Sequence, residues 1–149
     1  MARGASTLAA FAAVLAAVGC GGEDQLSQAE FREQGNVICA KYEGQIDELT
    51  IPSAIDQIPV YVAKAAPIVE KEIDELKALD PPDETKETFD RMIAESEKTL
   101  TAGRDLAKAA EAGDDAAVEK ALNEGNIASS RSSEHARALG LTECINEAE

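Results

Sequence analysis

The chain has 149 residues and sets 29 acidic side chains against 14 Lys and Arg, a formal charge of −15. Such a surface repels phosphate backbones and offers no basic patch to anionic lipid, so nucleic acid is excluded as a partner. With three Phe, two Tyr and no Trp, any core must be aliphatic and small.

The first stretch reads as an export signal. Arg3 supplies a positive start, and Leu8 to Val18 is an apolar run of eleven residues. That run is too short for a bilayer span, which needs roughly 20, and suits a secretory signal. It ends in Ala17-Val18-Gly19-Cys20. Small residues before a cysteine resemble the lipobox of bacterial lipoproteins, in which the signal is cut before the cysteine and the thiol receives diacylglycerol. Cys20 matches the lipidated position. Ala17 stands where that family usually has Leu. The resemblance implies a signal over residues 1–19, a lipidated cysteine and short tether over 20–27, and a folded domain over 28–149. It places the protein at the extracytoplasmic face of the cell membrane, held there by lipid at Cys20. With Cys20 modified, Cys39 and Cys144 remain as an even pair in an oxidising compartment. We expect them to form a disulfide closing a loop of about 100 residues, worth roughly 4–5 kcal/mol in the chain-entropy model. The alternative is two buried free thiols.

The domain divides into four stretches with apolar or small residues alternating four and three apart, the spacing of packed helices. Helix 1 is predicted over 28–49, with Ser27 and Glu30 at capping-box spacing. Its seam is Phe31, Gly35, Ile38, Tyr42, Gln45 and Leu49. A break at 50–53 and a short turn carrying Ile55 and Ile58 follow. Helix 2 is predicted over 60–79 behind Pro59, with a seam of Val62, Ala66, Val69, Ile73 and Leu76. Pro67 within it should bend the helix or divide it. Asp80-Pro81-Pro82 ends it. Helix 3 is predicted over 83–112, with Phe89, Ile93, Ser96, Leu100, Gly103, Ala107 and Ala110 on its seam, and Gly113 stops it. Helix 4 is predicted over 115–139 between an Asp114 cap and Gly140. Its seam is Val118, Leu122, Gly125, Ser129, Ser132, Ala136 and Leu139. Short loops favour antiparallel neighbours, so the expected fold is all-α, an up-down-up-down four-helix bundle.

Three stretches then carry a second resemblance: Ile38-Cys39-Ala40, Leu76-x-x-Leu79-x-Pro81-Pro82 and Leu139-Gly140-Leu141-x-x-Cys144. The chain resembles a group of small lipoproteins of unknown function common in high-GC Gram-positive bacteria. The likeness covers most of the mature chain. It implies a fold and a location but brings no catalytic residue.

Residues that could carry chemistry are sparse. His135 is the single histidine and lies off its helix seam. The serines of helix 4 sit on no nucleophile elbow. Cys39 and Cys144 lack the spacing of redox or zinc motifs. Glu70, Glu72, Asp74 and Glu75 read as a solvated face. No catalytic residue, metal site or cofactor is expected, and the protein is read as a non-enzymatic binding or structural module with an envelope protein as partner. The small residues Ser96, Gly103, Gly125, Ser129 and Ser132 admit two readings: close helix packing, or a hollow core that binds an apolar metabolite or lipid. The second places a ligand against Tyr42, Leu100 and Ser129.

Overall fold

A computed structural model describes residues 25–145. The proposed signal 1–19, the lipidation site Cys20 and most of the tether lie outside the described residues. The described chain is all-helical, four helices packed into a bundle: α1 (Gln28–Asp47), α2 (Ile58–Lys77), α3 (Asp83–Ala112) and α4 (Asp115–Leu139). Short 3₁₀ turns occupy Ile55–Gln57 and Thr142–Cys144. There is no strand among the described residues, and none of their helices is long and apolar enough to cross a membrane.

Local chemistry sets each boundary. Ser27 caps α1: its hydroxyl accepts from the Glu30 amide, and the Glu30 carboxylate accepts from the Ser27 amide. These bonds satisfy amides that no helical carbonyl can reach; the Ser27 hydroxyl, which also donates to the Glu30 carboxylate, and then the Ser27 amide hold that carboxyl below its ordinary pKa. α1 ends two residues before the predicted Leu49. α2 starts two residues early, with Pro59 in its first turn, and runs unbroken through Pro67. Asp114 accepts from the Ala117 amide at the head of α4. Gly113 and Gly140 close α3 and α4 with φ of 66° and 77°, a left-handed conformation that side chains disfavour.

The core is concentrated at one end. Phe31, Cys39, Ile73, Leu76, Phe89, Met92, Ile93, Ala136, Leu139 and Leu141 form one buried cluster. Within it the rings of Phe31 and Phe89 meet edge to face at 5.1 Å, the arrangement their quadrupoles favour. α3 and α4 make the most extensive helix pair, because their facing residues are small. Ala102, Ala109, Ala121 and Ala128 are all buried, and a Cβ on Gly125 would stand 3.5 Å from that of Ala102. This corrects the predicted seam of helix 4: Leu122 is exposed, displaced by the alanine face one position earlier. Gln45 likewise faces solvent.

α1 packs chiefly against α2 and against the C-terminal 3₁₀ turn. The chain leaves α4 through Gly140 and lies on α1, where Leu141 is fully buried. Arg32 donates to the Leu139 carbonyl at 2.9 Å, and Asn36 donates to the Gly140 carbonyl and accepts from the Glu143 amide. Gly35 makes the approach possible, since a Cβ there would sit 2.6 Å from Leu141 Cδ2. Gly35→Ala therefore forces a buried leucine aside. Overpacking costs about 1–3 kcal/mol, partly offset by the better helix propensity of alanine. The expected result is a net loss of about 1 kcal/mol in urea unfolding.

Candidate functional site

Cys39 and Cys144 form the disulfide, with Cα atoms 5.1 Å apart and a sequence separation of 105. The tail reaches Cys39, in the middle of α1, through the turn after Gly140, so the bridge ties the end of the chain to the first helix. Both cysteines border a space between the helices.

That space is a cavity of about 460 Å³, within the range of small-molecule sites. It arises where α1, drawn toward α2 and the tail, stands away from α3 and α4. The side chains facing the gap are too small to fill it: Ala65 and Ala66 of α2, Ser96 and Gly103 of α3, Ser129 and Ser132 of α4. A Cβ on Gly103 would meet nothing within 4 Å. Val62, Val69, Ile73, Leu76 and Leu100 supply an apolar wall.

Two of the three expected pocket residues, Leu100 and Ser129, line this cavity. Tyr42 does not. It is buried between α1 and α2, where its hydroxyl donates to Glu75 Oε1 at 2.6 Å and the Lys41 ammonium bridges to the same carboxylate at 2.7 Å. These bonds hold Glu75 below, and Lys41 above, their ordinary pKa values, chiefly through the Lys41–Glu75 contact. Tyr61 of α2 lines the cavity instead. Ser96 and Ser132 share a hydrogen bond of 2.9 Å, and Ser96 also donates to the Met92 carbonyl one turn back.

Sequence reading missed Glu72. Glu70 pairs with Arg104, and Glu75 with Lys41, as a surface reading expects. Glu72 is partly buried and lines the cavity, with no hydrogen bond or ion pair to another described residue. Burial, followed by the charge of Glu43, pushes its carboxyl up to about 7. The spacing 65, 69, 72, 76 contained the signal, since it places Glu72 on the apolar face of α2. The exposed Glu43, Asp47 and Glu143 edge the same space and mark its mouth.

A second depression lies on the outer face of α3 and α4, lined by Glu95, Lys98, Asp105 and Arg131 among others. Its charges are of both signs and largely pair along the helix, as in Lys98–Glu95. His135 is partly buried on α4. No group of three His, Cys, Asp or Glu able to hold a metal is found among the described residues. No protein-family model matches the chain, and no curated protein or solved structure matches it.

Proposed function

We propose that this is a lipid-anchored, extracytoplasmic binding module that holds a small molecule with an apolar body within a helical bundle and performs no chemistry on it. The observation that carries the reading is the cavity of about 460 Å³ with its aliphatic wall. Protein interiors are close-packed, and a space of this size left by small side chains departs from that rule. The anchor at Cys20 rests on the signal-like residues 1–19 and on cysteine parity, since Cys39 and Cys144 are used in the disulfide.

The same proposal includes the up-down-up-down path. It is supported by the Leu26 amide donating to the Asp80 carbonyl, and by Arg32 reaching Leu139. The first bond brings the head of α1 beside the α2–α3 loop, and the second brings it beside the foot of α4. Gln25 also donates to the Pro81 carbonyl and to Asp83, so the chain is held to the fold from that residue onward. Few residues then separate Cys20 from the domain, which keeps the domain close to the membrane. The likeness to small high-GC Gram-positive lipoproteins fits this placement.

Native mass spectrometry of the protein incubated with envelope extract tests the binding reading. The expected result is a small-molecule adduct on the wild type that is lost in Gly103→Leu, whose side chain fills the cavity. The same variant should be more stable by about 1 kcal/mol, because leucine replaces glycine within a helix. A wild type that stays empty in extract contradicts the proposal. An acidic surface presented to an envelope protein is the second reading, supported by the charge of −15. Crosslinking in whole envelopes that recovers a reproducible partner from the wild type and from Gly103→Leu alike favours it.

A further inference from the structure

The charges around the cavity are all of one sign. Four carboxylates line it: Glu43 and Asp47 from α1, Glu72 from α2 and Glu143 from the tail. Among the described residues no lysine or arginine does, and α3 and α4 contribute only hydroxyls and apolar groups. Nearby cations of the bundle are engaged elsewhere: Lys41 with Glu75, Lys77 with Glu97, and Arg104 with Glu70. A purely apolar guest would strip water from Glu72 and give it no partner, which is costly for a carboxylate. An anionic guest would meet four like charges. The acids are not gathered into a metal-holding group among the described residues, and the wall beside them is aliphatic.

Resting on the ligand-binding reading above, we infer that the cavity selects an organic cation, with an apolar body against Val62, Val69 and Leu100 and a protonated amine on the Glu72 carboxylate. Glu43, Asp47 and Glu143 at the mouth raise the local concentration of such a cation and repel acids. The raised proton affinity of Glu72 follows from the same geometry: a carboxyl half-removed from water and facing Glu43 lacks the counter-charge that an amine supplies.

Calorimetric titration of the purified full-length protein with 4-phenylbutylamine, 4-phenylbutanol and 4-phenylbutanoate tests this, at about one pH unit either side of 7. On the alkaline side the amine should bind about tenfold or more tighter than the alcohol, the size of one charge-assisted hydrogen bond. The carboxylate should bind weakest. The amine advantage should shrink on the acid side, where Glu72 is protonated and the amine remains charged. The titratable groups facing Glu72 are Glu43, Asp47, Tyr61 and Glu143. Glu72→Gln should abolish the amine advantage while leaving alcohol binding. Equal binding of amine and alcohol, or an amine preference that survives Glu72→Gln, overturns the inference and leaves the cavity reading standing. If none of the three binds, both fall.

Discussion

Replacing Cys39 and Cys144 together with serine is expected to lower stability by about 4 kcal/mol. The bridge closes a loop of 105 residues, and in the chain-entropy model a loop of that length restricts the unfolded chain by roughly 4–5 kcal/mol. The cost should fall somewhat short of that figure because the tail has other holds on α1. Leu141 stays buried against Gly35, and Asn36 bonds both Gly140 and Glu143. A typical domain is stable by only about 5–15 kcal/mol, so the loss should appear as a large fall in the urea midpoint. A change below about 1 kcal/mol would mean that the folded tail contacts, or a compact unfolded state, already supply the constraint.

Glu72→Gln is expected to stabilise the protein above neutral pH by about 2 kcal/mol: a carboxyl pKa raised from 4.5 to about 7 corresponds to roughly 3 kcal/mol, reduced because the side chain keeps part of its contact with water. The sign follows from proton binding. The folded state holds the Glu72 proton to higher pH than the unfolded state does. The wild type therefore loses stability as pH rises from about 4.5 to about 7, and the penalty is constant above that window. Glutamine carries no such penalty, so the variant should show a flatter profile across that range and coincide with the wild type at its acid end. Urea titrations at several pH values read this directly. A variant less stable than the wild type above pH 7 would show that Glu72 makes favourable contacts when ionised. Ligand binding and stability then pull in opposite directions at one residue, a common feature of sites retained for use.

Much of the architecture was legible because helix signals are local. The Ser27–Glu30 pair, Pro59, Pro81-Pro82, Gly113, Asp114 and Gly140 each act within a turn of themselves, and α3 and α4 begin and end where those signals place them. The seams were legible where large residues mark them, as at Phe31, Ile73, Phe89 and Leu139. They slipped where alanine competes with leucine for a face: Leu122 is exposed and Ala121 buried, because α4 approaches α3 more closely than leucine permits. The cavity was visible only as a choice between two meanings of small residues, and both hold in different places. Gly125 serves close packing, while Gly103 and Ser129 face open space. Tyr42 was assigned to the cavity by its seam position, yet its hydroxyl is drawn to Glu75. Glu72 was read as solvated together with its neighbours Glu70, Asp74 and Glu75, although its spacing from Ala65, Val69 and Leu76 puts it on the apolar face of α2. Only the displacement of α1 encloses it.

The bundle's hollow middle is the claim on which the rest depends, and methyl NMR reads it most directly. With methyl groups labelled, titration with 4-phenylbutanol should shift Val62, Val69, Leu76 and Leu100, which line the cavity, and leave Leu139 and Leu141 in the closed core unmoved. Saturable shifts confined to the first group are the expected result. Shifts absent throughout, or equal in the two groups, would contradict an interior site between these helices.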